Sequence, residues 1–149
     1  MAMQKIGFNE ALAQITAKDP RYDTEGYLFL RNGLDYTLRQ SKKHKDDPAR
    51  HVSGQELLEG LRAYALKEFG PMARTVLDYW GIRKGEDFGA MVFNLVEAGV
   101  FGKTDTDSIE DFKGGYTFEE AFDAPYRVTP RASAPKKQQT PKSPLQNAQ

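Results

Sequence analysis

Few residues in this chain have the type and spacing that chemistry requires. His51, just before the run VSGQE, could serve as a general base, yet the local sequence places no serine, threonine or lysine nucleophile to use it. A surface histidine near a helix start is the ordinary explanation. The other histidine, His44, is seven residues away in a charged stretch, a spacing that neither helix nor strand turns into a metal-ligand pair. Cysteine is absent, which excludes disulfides, thiolate zinc sites and a cysteine nucleophile. The carboxylate pairs Asp105/Asp107, Glu110/Asp111 and Glu119/Glu120 invite a divalent cation, and DTDSIED loosely echoes a calcium loop. Counted from Asp105, however, the sixth position is Glu110 instead of glycine and the twelfth is Tyr116 instead of a bidentate glutamate, so a solvated acidic turn is the better account. GKT at 102–104 lacks the upstream glycine of a phosphate loop. Trp80, Tyr64, Tyr79 and Phe93 could line a ligand pocket, but aromatics at helical spacing are more often core. No catalytic, metal or cofactor site is expected.

The elements that would carry these residues are mostly helical. NEALAQITAK reads as a helix capped by Asn9, with Ala11, Leu12 and Ile15 on one face and a stop at Asp19-Pro20. TEGYLFLRNGLDYTLRQ places Tyr27, Leu30, Leu34 and Leu38 at helical spacing, despite the cost of Gly26 and Gly33. A charged connector, 41–52, follows. Ser53 and Glu56 then form a capping box, with Val52 able to staple onto Leu57, and the helix they start puts Leu57, Leu58, Leu61, Ala65 and Phe69 on one side. Gly70 suits its end and Pro71 the first turn of the next helix, which would turn Met72, Val76, Leu77 and Trp80 inward and stop at Gly81. A third helix, EDFGAMVFNLVEAG, presents Phe88, Met91, Val92, Leu95 and Val96 and stops at Gly99.

Two outcomes remain open beyond Gly99. VFGKT and FKGGYTF could pair as a short hairpin, or Thr117 and Glu120 could cap a short helix through FEEAF. Either way Phe112, Tyr116, Phe118 and Phe122 should pack back on the helices. The expected fold is therefore mainly α: a compact domain of about five helices over residues 1–126. Its three-helix core has winged-helix-like order and leads into a short hairpin or irregular arm.

That order raises DNA binding, because the third helix of a winged helix enters the major groove and should carry Arg, Lys, Asn or Gln on its exposed face. Here the residues off its apolar stripe are Glu86, Asp87, Ala90, Asn94 and Glu97. Carboxylates there repel phosphates spaced about one charge per 1.7 Å of duplex. A helical corner that only packs is the better account.

Charge is unevenly spread. Lys plus Arg and Asp plus Glu both number 21, so the chain is neutral as a whole. Residues 127–149 hold five cations and no acid, which leaves a net charge of −5 on 1–126. Four prolines and no aromatic in that tail predict disorder. Lys42, Lys43, Lys45 and Arg50 of the connector, with Lys136 and Lys137 of the tail, are the candidate partner-binding residues, for an acidic protein or for nucleic acid. The ordinary explanation is a solvated loop and a solubilising tail. The start, MAMQKIGFNEALAQ, has no apolar leader run, and no window approaches the roughly 20 apolar residues that span a bilayer. A cytoplasmic protein without membrane attachment is expected.

The runs DPRYDTEGYLFLRNGLDYT, RHVSGQELLEGLRAYALKEFGPMARTVLDYWGI and EDFGAMVFNLVEAGVFGKTDTDSIEDFKGGYTFEEAF resemble a family of short bacterial proteins to which no activity, substrate or cofactor is assigned. The resemblance covers roughly residues 8 to 123. It implies one domain with a variable tail and a bacterial cytoplasmic setting, and it carries over no functional residue. Together these observations favour a small non-enzymatic interaction module that binds a protein partner. The alternative is a winged-helix-like, nucleic-acid-associated factor contacting RNA or DNA through its basic connector and tail.

Overall fold

In the computed structural model the described residues are Ala2, Met3, 7–40, 52–102 and 109–128. The connector residues 41–51 and the tail 129–149 lie outside them. The chain is mainly helical, with α1 (Phe8–Lys18), α2 (Thr24–Gln40), α3 (Gly54–Phe69), α4 (Ala73–Tyr79) and α5 (Gly85–Glu97).

Helix α1 buries Ala11, Leu12 and Ile15 as the spacing predicts. It starts earlier than expected: Gly7, not Asn9, is the cap residue, and the Ala11 amide donates to the Gly7 carbonyl at 3.0 Å. The two extra residues carry Phe8 into the helix, where its half-buried ring packs on the core and beneath the Arg31 guanidinium. No side-chain cap is made, and Asn9 stays exposed. The stop at Asp19 holds, with its backbone extended ahead of Pro20.

The centre of the fold is α2 against α3. Leu30 and Leu34 of α2 and Leu57 and Leu61 of α3 are fully buried. Two glycines face across this interface in reciprocal fashion. A Cβ on Gly33 would stand 2.3 Å from Leu61 Cδ2, and one on Gly60 would stand 1.8 Å from Thr37 Oγ1. The helix propensity lost at these glycines is exchanged for close approach of the two axes. The Thr37 hydroxyl, buried at this crossing, donates back to the Gly33 carbonyl at 2.7 Å. The capping box forms as expected, Glu56 N donating to Ser53 Oγ at 3.2 Å and Ser53 N to Glu56 Oε1 at 3.0 Å. Val52, the last residue of the charged connector, is fully buried, consistent with the staple expected ahead of the cap. An apolar side chain just ahead of the cap lands on the core, not in solvent.

At the corner Gly70 has a positive φ of 54° and Pro71 opens a single 3-10 turn, Gly70–Met72, before α4 begins. This turn corrects one expectation. Met72 is 55% exposed instead of packed inward, because the tighter three-residue winding rotates it outward and brings Ala73 to full burial in its place. Leu77 is buried and Val76 and Trp80 half-buried. Gly81, at φ 88°, ends α4 where a Cβ would collide with the Arg21 carbonyl at 2.3 Å. Helix α5 buries Phe88, Met91, Val92 and Leu95, half-buries Val96, and gives way at Gly99.

After α5 the strand β2 (Phe101–Gly102) pairs antiparallel with β1 (Ala2–Met3), Met3 opposite Phe101. Of the two outcomes open beyond Gly99, the hairpin is not seen among the described residues: 112–118 is the end of a 3-10 turn (Ile109–Phe112) followed by bends. The irregular arm does form. Thr117 and Glu120 make the expected reciprocal cap and lead into a wide π-helical turn, Glu119–Asp123, and a 3-10 turn, Ala124–Tyr126. Phe112, Phe118 and Phe122 are buried, Phe118 and Phe122 meeting edge to face at 5.0 Å. The half-buried Tyr116 donates its hydroxyl to the Leu58 carbonyl. The arm is thereby fixed to α3 and α5.

Candidate functional site

The turn between α1 and α2 grips α5 through buried and half-buried polar groups. Asp19 receives a bidentate pair from Arg21, at 2.8 and 2.7 Å, and an amide bond from Asn94 at 3.0 Å. The same Asn94 amide donates to the Tyr27 hydroxyl at 3.0 Å. Arg21 above all, with help from Asn94, holds the Asp19 carboxyl well below the usual carboxylate range. The Tyr22 hydroxyl donates to Asp87 at 2.7 Å, and the other oxygen of Asp87 accepts the amides of Arg83 and Lys84 at 2.9 and 3.2 Å. Burial, then the Asp87 bond, pushes the Tyr22 phenol far up. Two residues expected on the free face of the third helix, Asp87 and Asn94, are thus committed to the α1–α2 turn. These bonds tie the α1–α2 turn to α2 and α5, so the arrangement holds helices together.

The carboxylates of the arm are similarly occupied. Glu110 pairs with Lys113 at 2.7 Å and Glu119 with Arg127 at 3.4 Å, while Glu120 serves the Thr117 cap and Asp123 meets Arg74. Among the described residues no group of three His, Asp or Glu side chains converges as a metal site would require. Asp105, Asp107, His44 and His51 lie outside the described residues. So do all six candidate partner-binding residues, Lys42, Lys43, Lys45, Arg50, Lys136 and Lys137.

Concavities open on the surface of the described residues. One of about 580 Å³ runs between α2 and α3 over the Thr37–Gly60 crossing, flanked by Tyr36, Gln55 and Ala63. A second, about 470 Å³, lies between the α5 start and the arm, with Lys84, Gly114, Gly115 and Thr117 on its walls. Arg74 and Arg83 border the second, but each is paired, with Asp123 and Asp78, and Glu86 and Glu119 share the rim. No net positive field is left there for an anion.

What stands out is apolar surface at the corner. Met72, in the turn just before α4, and Tyr79, the last residue of α4, are 55% and 83% exposed. Tyr126, 45% exposed, comes to the same corner, its hydroxyl 3.9 Å from where a Cβ on Gly70 would stand. Around this face lie the ion pairs Arg83–Asp78 at 2.7 Å and Arg127–Glu119 at 3.4 Å, together with Arg74–Asp123. Of the four aromatics that could line a pocket, Tyr64 and Trp80 share a neighbour and Tyr79 and Phe93 stand apart. Tyr79 points to solvent, Phe93 is 44% exposed on α5, and Tyr64 and Trp80 are half-buried around Phe29. What the sequence hides is the 3-10 turn, which decides the side on which Met72 falls.

No helix among the described residues is long and apolar enough to cross a membrane. No family model, curated protein or solved structure matches the chain.

Proposed function

We propose that the protein is a small non-enzymatic interaction module whose Met72–Tyr79–Tyr126 face binds another protein. The observation that carries this is the exposure of Met72 and Tyr79 at the two ends of α4 and of Tyr126 beside Gly70. A stable domain gains nothing from leaving them in water, and an apolar centre with a charged rim is the anatomy of a protein interface. The rim consists of opposite charges already paired, so it offers a protein surface both signs and offers a phosphate backbone no net attraction. Its setting on this proposal is the bacterial cytoplasm.

Capture from lysate with the full chain and with a Met72→Ser/Tyr79→Ser variant tests it, with circular dichroism checking that both are folded. A protein retained by the first and lost from the second is expected. Identical captures by both would remove the proposal.

A further inference from the structure

Tyr64, Phe69 and Trp80 surround the buried Phe29, their ring centroids 5.3, 5.7 and 5.7 Å from its own. Phe69 and Trp80 also meet edge to face at 5.8 Å. All three are half-buried, so each keeps part of its ring at the surface. Two polar groups on this surface have no hydrogen-bond partner among the described residues: the Trp80 indole N–H and the Tyr64 hydroxyl. An indole N–H so placed ordinarily finds an acceptor. Beside Phe69, Glu68 is exposed and makes no ion pair among the described residues. Burial, then the charges of Glu68 and Asp35, pushes the Tyr64 phenol upward. Asp35 itself is held by Arg39 at 3.0 Å, and Lys67 lies over the neighbouring Tyr36 ring.

An aromatic surface with an idle donor and an idle carboxylate suits a polyproline segment that carries cations. Such a segment has no internal hydrogen bonds, so its carbonyls are available, and it packs prolines against aromatic rings. Residues 129–149 supply this chemistry: Pro130, Pro135, Pro141 and Pro144, with Arg131, Lys136, Lys137 and Lys142 and no acid. Pro141 and Pro144, three apart, fall on one side of a polyproline helix about 9 Å from each other. The described residues carry 17 acids against 11 bases, the opposite sign to this segment. The tail also starts nearby. It continues from the exposed Val128, two residues past Tyr126, which reaches Gly70, the residue following Phe69. From Val128 to Pro141 the chain can span about 40 Å in polyproline form, ample to return to this surface.

We propose that the tail of the same chain docks on the Tyr64–Phe69–Trp80 surface, with Pro141 and Pro144 against the rings and lysines facing Glu68. This is a contact distinct from the Met72–Tyr79–Tyr126 face.

The absence of cysteine makes a single spin label clean. A nitroxide on Asn147→Cys in the full chain should erase the indole cross-peak of Trp80, the only tryptophan, and broaden the amides of Tyr64 and Phe69 at low salt. The signals should return in high salt, which screens exposed charges, and in a labelled Lys136→Glu/Lys137→Glu/Lys142→Glu chain. An unchanged Trp80 indole at low salt would overturn the proposal, and so would broadening centred on Met72 and Tyr79. Mixing labelled chain with isotope-labelled, spin-free chain settles the remaining arm: equal broadening there would assign the tail to a second copy and overturn docking within one chain.

Discussion

Thr37 and Gly60 set the distance between α2 and α3. A Cβ on Gly60 would stand 1.8 Å from Thr37 Oγ1 and 2.7 Å from both its Cβ and Cγ2, so the whole β-branched side chain is in the way. In an exposed helix Gly→Ala gains about 1 kcal/mol. Here overpacking wins, and Gly60→Ala should lose about 2 kcal/mol net, seen as a lower urea midpoint at unchanged slope. Adding Thr37→Ala should recover part of that loss, a non-additive pair expected of residues in contact. A Gly60→Ala midpoint at or above wild type would contradict so close a crossing.

Asp87 joins the Tyr22 hydroxyl, 65 positions away, to the amides of Arg83 and Lys84 at the start of its own helix. Asp87→Ala leaves all three without their acceptor and should cost about 2–3 kcal/mol, the range for hydrogen bonds to charged groups. Tyr22→Phe removes one donor and leaves the other bonds, so about 1 kcal/mol is expected. Denaturant titration of both variants would reveal the ordering, and equal losses would count against a shared network.

Stability should fall at both ends of the pH scale, for different reasons. The Asp19 carboxyl is held below its ordinary value in the fold, chiefly by Arg21. A depressed carboxylate contributes stability that is present above the unfolded value, about 3.9, and lost as pH falls below it towards the folded one. The difference between wild type and Asp19→Asn should thus be flat from about pH 5 to 8 and shrink below about pH 4. The phenols of Tyr22, Tyr27 and Tyr116 are raised, burial first among the causes. Their contribution is complete below the ordinary tyrosine value of about 10 and is lost as pH climbs from there towards the raised folded values.

The arm is expected to be part of the cooperative unit. Phe122 is 1% exposed and touches Phe118 at 5.0 Å and Tyr116 at 6.1 Å. Phe122→Ala should cost about 3–5 kcal/mol. If the arm were a loosely attached appendage, calorimetry of this variant would show an unshifted main transition.

Much of the helical frame was legible because it rests on local rules. The Ser53/Glu56 and Thr117/Glu120 caps, the span of α2 and the stops at Gly81 and Gly99 depend on residues within a turn of each other, and all appear as expected. Three features depended on something farther away. Phe8, in α1 ahead of Asn9, has its ring contact with Arg31, 23 positions on. Met72 turned outward because of the winding of one 3-10 turn, which propensity does not specify. Strand β2 found its partner at the opposite end of the sequence. The exposure of Met72 is hidden in the sequence with that turn, whereas Tyr64 and Trp80 stand out as aromatics but their shared neighbour Phe29 does not.

The pairing of Met3 with Phe101 also bears on how the chain is made. A ribosome adds about 5–20 residues per second, so the first strand waits about 5–20 s for its partner to be synthesised. Helices α1 to α3 can assemble during that interval, whereas the ladder closes only after α5 has left the ribosome. A nascent chain stalled before residue 101 would hold the α2–α3 pair without the strand contact that joins its beginning to the end of α5.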